Sequence, residues 1–536
     1  MSNDASTGPE LNQPPPFTGI DLFGSDLPLQ EAVAANGGKS ESGTLQEFGR
    51  RWGRADMFEL ARRADVYLPI LSDDIVTFDP AYHHFMRESM AAGLHCSTWN
   101  NEGLSAGAPA EVARAAHFYM VAQVENGHMC PITMTRASVA ALTAVPDLLA
   151  QVMPKIASRH YDSRFQPWQA KTTMTLGMGM TERQGGTDVR TNTTRAVRDG
   201  EAYRIDGQKW FMSAPMSDAF LVLAQAPDGL SCFFMPRFRP DGSVNGFRFV
   251  KLKDKLGNRS NASSEVEFHN AYALRVGEEG RGIGTILQMV QLTRLDCAIS
   301  SAGIMRAALA RASHHARHRI VFQKKLVDQP MMRSVLADLA LDVEAALAAV
   351  MRLCRSFDLA PSDPQEAARA RLLTPAIKYW ICKMAPAFVY EAMECLGGNG
   401  YVEDYTLARL YREAPVNAIW EGSGNVMALD ALRAMRSDDA RSVINALSRE
   451  VEQCSVASDA IRRIIQALDL IDVESHARFI VEHVALIAAV AALQTTSPQN
   501  AKVFSQTRLN DVRGRTYGAA DLSGSCSRLL ERARPN

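Results

Sequence analysis

The sequence lacks the usual marks of a secreted or membrane-spanning protein. Its nine cysteines are an odd number and form no C-x-x-C pair, which indicates free thiols in a reducing compartment rather than a disulfide framework. The opening stretch MSNDASTGPELNQPPPFTG is polar and proline-rich, without the apolar segment of a secretory signal. The longest apolar run, VALIAAVAAL at 484–493, is too short to cross a bilayer and suits a buried helix. We therefore expect a cytoplasmic protein that has no membrane partner.

An excess of charge of one sign is also missing, as are two common ligand-binding motifs. Lys and Arg number 58 against 59 Asp and Glu, so any attraction to nucleic acid must be local. The stretch GEEGRGIGTIL at 277–287 does not fit G-x-G-x-x-G and has no βαβ pattern around it, which excludes a Rossmann nucleotide site. In HHARHR at 314–319, two histidines have metal-ligand spacing, but arginines surround them and no acidic or cysteine partner is near. We expect no metal there, and a basic helix face that contacts phosphate is the better interpretation.

What is present is an alternation of helical and β-rich segments. An extended arm at 1–20 precedes a block at 21–170 in which apolar residues recur at helical spacing, and we expect this block to be helical throughout. Between 171 and 278, short β-rich runs separated by Asp-Gly turns predict a compact antiparallel β domain. Helical patterns return at 279–436 and continue in a further helical segment at 437–536. Crevices between such domains are favoured cofactor sites.

Three motifs could line such a crevice, and each also has a purely structural interpretation. MGMTERQGGTDV at 178–189 offers hydroxyl groups around a glycine pair that lets a ligand approach the backbone, or it is an ordinary polar loop. GQKWFMSAP at 207–215 places aromatic rings beside a hydroxyl group, or it is a strand with one face in the core. CLGGNGY at 395–401 allows close approach to a diphosphate, or it is the glycine stop signal of a helix.

The stretch NAIWEGSGN at 417–425 holds one carboxylate, Glu421, between the bulky Trp420 and a small, flexible run. A carboxylate in that position is either a base that points into a pocket or a surface charge in a turn. The residues alone leave both interpretations open.

Together, the order and spacing of these motifs resemble the acyl-CoA dehydrogenase family of flavoproteins. The stretches that carry the resemblance are MTERQGGTDV, KWFMS, KLGNRSNASSEVEF, RHRIVFQKKLVDQP, ECLGGNGYVEDYTLARLYRE and IWEGSGN. Others, including CPITMTRAS, LSCFFMPRFRPDG and APVNAIWEGSGN, are similar to a branch of this family that is induced in the bacterial adaptive response to DNA alkylation. The resemblance implies an α+β, mainly α fold: a helical N-terminal domain, a central antiparallel β-barrel, a C-terminal four-helix bundle and an extra helical domain. It also implies FAD as cofactor and a homotetramer built as a dimer of dimers.

The resemblance further implies two groups of FAD-binding residues. Those of the subunit's own site are Met180, Thr181, Gly185, Gly186, Thr187, Phe211, Met212, Ser213, Trp420, Gly422, Ser423 and Asn425. Those that serve the FAD of a neighbouring subunit are Arg319, Phe322, Gly397 and Gly398. Within the first group, Phe211 takes the place of the usual tryptophan on the flavin ring, and Met212 and Ser213 flank flavin N5.

The same resemblance makes Glu421 the catalytic base. The α-hydrogen of an acyl thioester is weakly acidic, so its removal needs a partly desolvated carboxylate within hydrogen-bonding reach, after which hydride leaves the β-carbon for flavin N5. Some family members carry the base on an earlier helix, but the matching residue here, Thr293, cannot act as one. Gln323 in place of a glycine, Ser423 in place of a threonine and the bulky Trp420 depart from the family pattern, and they disfavour turnover of long substrates.

The end of the chain is locally basic. Residues 500–536 hold three acids against seven basic residues, which are Lys502, Arg508, Arg513, Arg515, Arg528, Arg532 and Arg534. Such a segment is either a phosphate-binding surface or a solvated face. The resemblance implies sequence-nonspecific binding of double-stranded DNA through Arg433 and Arg513.

We therefore predict an FAD-dependent, acyl-CoA dehydrogenase-like protein that associates with DNA in the response to alkylation damage and retains an α,β-dehydrogenation site. The alternative is an ordinary metabolic acyl-CoA dehydrogenase for short or branched acyl chains. A third interpretation leaves FAD as a structural cofactor without a substrate.

Overall fold

Seven α-helices open the described part of the chain. The computed structural model describes residues 12–510, 517, 522 and 524–534. The first helix begins after Asp26, whose carboxylate accepts a hydrogen bond from Leu29 N at 3.2 Å, with Pro28 in the first turn. The helices are α1 (Leu27–Ala35), α2 (Ser42–Trp52), α3 (Ala55–Val66), α4 (Pro80–Ala91), α5 (Ala110–Ala122), α6 (Met129–Leu142) and α7 (Pro146–Ile156).

A short β-hairpin interrupts these helices, so the expectation of a block that is helical throughout is wrong. Strands β1 (Ile70–Ser72) and β2 (Ile75–Thr77) pair antiparallel. Asp73 and Asp74 between them both have positive φ, 49° and 60°, which is the backbone of a two-residue hairpin turn. The sequence signal was weak because aspartates stand where glycine or asparagine would mark the turn. Asp74 also accepts a hydrogen bond from Phe249 N at 2.6 Å, which ties the hairpin to the β domain.

Seven strands between residues 176 and 276 form one sheet that closes on itself. They are β3 (Leu176–Gly179), β4 (Arg195–Asp199), β5 (Ala202–Ser213), β6 (Ala219–Ala226), β7 (Gly229–Pro236), β8 (Phe247–Leu252) and β9 (Ser263–Val276). Strands β6, β4, β5, β9 and β7 pair in that order and β7 pairs again with β6, while β3 and β8 join at β6 and β9. The predicted barrel is therefore present, but its description as antiparallel is wrong in part. Strand β3 runs parallel to β6, and β4 meets β6 in a parallel bridge.

Three long helices dominate the segment that follows the barrel. In chain order the elements are α8 (Gly282–His318), β10 (Ile320–Val321), β11 (Lys324–Lys325), α9 (Pro330–Leu359), α10 (Pro364–Glu394), α11 (Gly398–Tyr401), α12 (Thr406–Glu413) and α13 (Gly424–Met435). Helices α8, α9 and α10 pack against one another, and α13 packs against α10. A short turn separates α9 from α10, and Asp363 caps α10 by accepting a hydrogen bond from Gln365 N at 2.8 Å.

The end of the described chain adds five helices, α14 (Asp438–Glu450), α15 (Ser455–Leu468), α16 (Ala477–Thr496), α17 (Pro498–Arg508) and α18 (Cys526–Arg532). Helix α16 packs against α9, α10 and α13. The apolar run at 484–493 lies in it and is buried throughout, as predicted. The segment Val473–Thr496 is long and apolar enough to cross a membrane, but 67% of its most apolar stretch is buried inside the protein. It therefore forms part of the core.

Three arginines at the end of the chain have partners within the protein, which weakens the interpretation of the tail as a free basic surface. Arg508 is buried, and its Nε donates to Asp342 Oδ1 at 2.8 Å. Arg532 pairs with Glu344 at 2.8 Å and also contacts Glu31. Arg528 donates to Asn500 Oδ1 at 3.0 Å. Among the described basic residues of the tail, Arg508 and Arg532 thus attach it to α9 and α1, while Lys502 and Arg534 are exposed.

Candidate active site

The turn that carries Glu421 is held by two basic residues from neighbouring helices. Glu421 has φ of 59°, a left-handed conformation that is uncommon for residues other than glycine. Lys378 Nζ from α10 donates hydrogen bonds to the carbonyl oxygens of Trp420 and Gly422, each at 3.0 Å. Arg294 Nε from α8 donates to the carbonyl oxygen of Glu421 at 2.9 Å. Three consecutive peptide groups are therefore fixed, and the direction of the Glu421 side chain is fixed with them.

The Glu421 carboxylate lies against α8. Thr293 Oγ1 donates a hydrogen bond to Glu421 Oε2 at 2.7 Å. Burial raises the pKa of Glu421 above its ordinary value, while the Thr293 hydrogen bond and the charges of Arg294 and Lys378 act in the opposite direction. Thr293, which the sequence excluded as a base, is instead a donor to the carboxylate. Nothing in the sequence indicated the roles of Thr293, Arg294 and Lys378, because each depends on helix packing.

The end of β5 and the first turn of α6 lie near this carboxylate. Burial raises the pKa of the Cys130 thiol to about 11, and Glu421 adds to that rise, while Lys255 and a hydrogen bond with Ser213 oppose it. Ser213 Oγ lies 3.0 Å from Ser263 Oγ on the neighbouring strand β9. The predicted site residues Ser213 and Glu421 are thus brought into one compartment. Cys130 belongs to it as well, and the sequence did not single it out.

The loop between β3 and β4 has the open glycine backbone that a cofactor requires. Gly185 has φ of 134° and faces open space, and a Cβ at Gly186 would lie only 2.3 Å from Thr181 Oγ1. Trp210 N donates to the Thr181 carbonyl at 2.8 Å, which holds the loop on β5. Asn192 Nδ2 donates to the carbonyl oxygen of Met180 at 2.9 Å. Thr187 lies exposed in the same loop.

The predicted ring-stacking residues have different environments. Phe211 is 49% exposed, and Lys253 Nζ lies over its ring at 4.7 Å from the centroid. Met212 is fully buried in the barrel core. Trp420 is half-buried and donates from Nε1 to Asn417 Oδ1 at 2.9 Å.

The remaining residues of the NAIWEGSGN stretch serve the turn and the start of α13. Gly422 has φ of 104°, and a Cβ there would lie 2.6 Å from Met427. Ser423 is exposed at the N-cap of α13. Asn425 Oδ1 accepts a hydrogen bond from Arg478 Nε at 2.8 Å, so α16 engages it. Gly422 is the direct chain neighbour of Glu421, whereas Ser423 and Asn425 lie at the start of α13.

The residues predicted to serve a neighbouring subunit's cofactor lie together at another surface. Phe322 is 93% exposed in the turn between β10 and β11, where both Phe322 and Gln323 have positive φ. Gln323 thus adopts the backbone for which the family pattern has glycine. Gly397, with φ of 61°, and Gly398 face open space.

The N-terminal arm contacts both parts of this surface, which the sequence did not indicate. Asn12 Oδ1 accepts a hydrogen bond from Ile320 N at 2.6 Å, and its carbonyl oxygen accepts one from Arg319 Nη1 at 2.9 Å. Gln13 Oε1 accepts a hydrogen bond from Asn399 Nδ2 at 3.2 Å. The arm also occupies the histidine face of α8, because His314 Nε2 lies 2.8 Å from the Pro15 carbonyl. Within the described ranges, no group of three or more His, Cys, Asp or Glu residues could hold a metal ion.

The two residues predicted to bind DNA are placed unequally. Arg433 is exposed on the last turn of α13, close to the exposed Arg436. Arg513 lies outside the described residues. Of these two residues, the structure therefore describes Arg433 alone.

Three family descriptions match successive parts of the chain. Residues 12–163 match the N-terminal domain of the adaptive response protein AidB. Residues 177–271 match the middle domain of acyl-CoA dehydrogenases, and residues 280–436 match their C-terminal domain. Proteins of this family use FAD.

Individual relatives agree with this assignment. The chain is 46% identical over 527 residues to AidB of Escherichia coli (strain K12), which is named as an acyl-CoA dehydrogenase, and the match covers 94% of each chain. The solved structure of Caenorhabditis elegans ACDH-11 in complex with C11-CoA is similar with a TM-score of 0.85 at 25% identity, and covers 95% of this chain and 94% of that one. An acyl-CoA dehydrogenase from Bacillus anthracis complexed with FAD shares the fold, with a TM-score of 0.69 at 15% identity over 94% and 86% of the two chains.

Proposed function

Because the chain belongs to the acyl-CoA dehydrogenase family, we propose that it oxidises the acyl chain of a CoA thioester between its α and β carbons, with FAD as cofactor. Bound FAD would accept the β-hydride. Glu421 removes the α-proton as the base. The observation that carries this proposal is the Glu421 turn, whose backbone is clamped by Lys378 and Arg294 while its carboxylate accepts a hydrogen bond from the Thr293 hydroxyl.

The base works because its position and its proton affinity are set separately. The clamp fixes the peptide groups on both sides of Glu421, so the carboxylate does not need to be reoriented during the reaction. Burial raises the pKa of Glu421, which strengthens it as a proton acceptor near neutral pH. The half-buried Trp420 next to it helps to keep water out of the compartment.

The residues of the barrel edge fit FAD. The open backbone at Gly185, the Thr181 hydroxyl and the Phe211 ring offer a phosphate-approach site, a polar group and a stacking face. We assign Met180, Thr187, Met212 and Ser213 to the same site, with Met212 acting through its backbone. We assign Arg319, Phe322, Gly397 and Gly398 to the FAD of a neighbouring subunit in a homotetramer.

Anaerobic mixing of the FAD-loaded protein with butyryl-CoA tests the proposal. We expect the flavin absorbance to bleach, and we expect Glu421→Gln to abolish bleaching while the bound FAD is retained. Glu452→Gln, at an exposed glutamate of the α14–α15 loop, is the matched control and should bleach like the natural protein. Absence of bleaching with every thioester tried, in a protein that holds FAD, would contradict dehydrogenation and leave FAD as a structural cofactor.

We also propose that the protein associates with double-stranded DNA in the cytoplasm as part of the response to alkylation damage. The similarity to AidB and the exposed Arg433–Arg436 pair on α13 support this second activity. In this proposal residues 437–536, including Arg513, form the domain that accompanies DNA binding, and contacts to phosphate make it independent of sequence. Fluorescence anisotropy with a labelled duplex at increasing salt tests it. Rapid, complete bleaching together with no DNA binding at low salt would favour the ordinary metabolic enzyme instead.

A further inference from the structure

A hydrogen-bonded chain leads from a lysine to the edge of the Glu421 compartment. Lys255 lies in the loop between β8 and β9. Its Nζ donates one hydrogen bond to the carbonyl oxygen of Asn261 at 2.6 Å and another to Ser263 Oγ at 3.2 Å. Ser263 Oγ in turn lies 3.0 Å from Ser213 Oγ at the end of β5. The chain Lys255–Ser263–Ser213 therefore connects a cation to a residue of the proposed flavin site.

Lys255 is held without the counter-charge that a desolvated cation usually has. Among the described residues, no carboxylate lies within ion-pairing distance of its Nζ. The charge of Glu413 acts on Lys255, but the Glu413 carboxylate accepts its hydrogen bonds from Asn258 N at 2.5 Å and Asn258 Nδ2 at 2.9 Å. Burial lowers the pKa of Lys255 to about 8, so the side chain stays mainly protonated at neutral pH. The ammonium group thus directs its hydrogen bonds to neutral oxygens, one of which belongs to Ser263.

The direction of the hydrogen bonds in this chain follows from the groups that form it. A lysine ammonium can only donate, so Ser263 Oγ is the acceptor from Lys255. Ser263 is 6% exposed, and within the described part of the chain Ser213 Oγ is the only other atom that hydrogen-bonds to its hydroxyl group. A buried hydroxyl hydrogen without an acceptor is costly, so Ser263 donates to Ser213. The hydrogen of Ser213 is then left to point away from Ser263.

That hydrogen faces the space that the base also faces. Ser213 lies within hydrogen-bonding reach of the Cys130 thiol, and the pKa of the same thiol is influenced by Glu421. Ser213 is partly exposed whereas Ser263 behind it is buried, so the open side of the chain is the side of the compartment. A hydroxyl hydrogen directed at flavin N5 from there would stabilise the charge that the β-hydride brings to the ring.

We propose that Lys255, acting through Ser263, holds the Ser213 hydroxyl as a hydrogen-bond donor toward flavin N5. This inference rests on the proposed dehydrogenase function and adds two positioning residues to the same site. Lys255 and Ser263 do not touch the reacting atoms. They fix the direction of the Ser213 hydroxyl, and the ammonium group polarises both hydroxyl groups in the same sense, which strengthens the donor at the end of the chain.

The test compares Ser263→Ala with the natural protein, each loaded with FAD that carries ¹⁵N at N5. Ser263→Ala breaks the chain and leaves the hydrogen bond between Lys255 and Asn261 in place. The ¹⁵N resonance of N5, measured by solid-state NMR without substrate, reports whether this nitrogen accepts a hydrogen bond. We expect the resonance to move downfield in the variant. We also expect the limiting rate of bleaching by butyryl-CoA to fall by about tenfold, the loss of about one hydrogen bond, with the dissociation constant of butyryl-CoA unchanged.

A double-mutant cycle separates this role from a merely structural one. If Ser263 acts through Ser213, then Ser263→Ala should change neither the N5 resonance nor the rate further in a Ser213→Ala background. Lys255→Met should move both quantities in the same direction as Ser263→Ala, and Ser263→Thr, which keeps the hydroxyl group, should leave them near the natural values. The matched control is Ser231→Ala, at a buried serine of β7 whose hydroxyl donates to the Gly229 carbonyl at 2.9 Å, and it should leave both unchanged.

The outcomes of these experiments distinguish the chain from the reaction. An N5 resonance that does not move in Ser263→Ala would overturn the proposal, as would a Ser263→Ala effect of full size in the Ser213→Ala background. If Ser263→Ala does not fold, the same comparison with Lys255→Met decides. If the natural protein bleaches with no thioester while its N5 resonance moves as expected in the variants, the dehydrogenase function fails and the hydrogen-bonded chain stands.

Discussion

Glu421 contacts Thr293 of α8, and Asp296 lies one turn further along the same helix, yet the pKa values of these two carboxylates move in opposite directions. Burial acts to raise both. The pKa of Glu421 ends above its ordinary value. The pKa of Asp296 ends below it, because the charges of Arg114 and Arg136 outweigh burial.

The difference does not arise from a lack of cations near Glu421. Arg294 and Lys378 are both beside it, but they donate their hydrogen bonds to peptide carbonyl oxygens. Around Asp296, the guanidinium groups donate to the carboxylate itself. Charge-assisted hydrogen bonds stabilise the charged form only of the group that accepts them directly. One arrangement therefore fixes a structural anion, and the other positions a base without neutralising it.

The largest effect is expected where the structural anion is removed. Asp296→Asn leaves Arg114 and Arg136 buried without their shared counter-charge, and we expect a loss of about 3–5 kcal/mol in the free energy of unfolding. Chemical denaturation measures it. Asp439→Asn, at an exposed aspartate of α14, is the control and should change stability by less than about 0.5 kcal/mol. If Glu421→Gln proved as destabilising as Asp296→Asn, the distinction between the two carboxylates would not hold.

The next largest effect is expected when the clamp on the Glu421 turn is weakened. Lys378→Met removes both hydrogen bonds to the Glu421 turn, so the carboxylate loses its fixed position. We expect flavin bleaching by butyryl-CoA to slow by about 100-fold with FAD content unchanged, measured by anaerobic stopped flow. Lys502→Met, an exposed lysine of α17, serves as the comparison and should leave the rate as it is. A normal rate in the Lys378 variant would mean that the clamp does not position the base.

A smaller effect is expected from the single donor to the carboxylate. Glu421 accepts the α-proton only when ionised, so bleaching should rise with pH through its pKa. The Thr293 hydrogen bond favours the ionised form, and Thr293→Val removes it with little change of shape. We expect the pKa of Glu421 to rise further and the rising limb of the pH–rate profile to move to higher pH. A limb that stays in place or moves to lower pH would contradict this account of Thr293.

The smallest effect concerns the exposed arginine that lies twelve residues beyond the base. Arg433 is exposed to solvent, whereas the Glu421 turn is held by Lys378 and Arg294. A contact of Arg433 with DNA would be to phosphate alone. We expect Arg433→Ala to weaken duplex binding modestly for all sequences and to reduce the slope of log affinity against log salt by about one. Arg248→Ala on the barrel strand β8 is the control. An unaltered salt slope would remove Arg433 from the DNA-binding surface.

Several features were within reach of the sequence because they depend on neighbours along the chain. The helical and β-rich segments follow from periodicity, and the break at Asp363 follows from capping chemistry. The roles predicted for the glycine loop at 185–186, for Ser213 and for Glu421 came from the family resemblance, because the residues alone left other interpretations open. The hairpin at 70–77 was missed because its turn is made by Asp73 and Asp74 rather than by glycine.

The tail shows where local reasoning reached its limit. Its seven basic residues look like a free cationic surface when counted along the sequence. In the structure, however, Arg508 and Arg532 form ion pairs with acidic residues of α9 and α1. Counting charge along a chain cannot distinguish a residue that binds a partner from one that attaches its own segment, because the counter-charges lie more than 150 residues away.

The sequence by itself determined the order of the segments, the family and the identity of the one carboxylate at 421. Only the tertiary structure decided what surrounds that carboxylate: a hydroxyl from α8, two cations directed to its backbone, and the buried ion pairs of Asp296 one turn further on. These contacts join α5, α6, α8, α10 and the 421 turn, and hydrogen-bond direction across such contacts has no counterpart in local sequence pattern. It is this direction that separates a base from a structural anion.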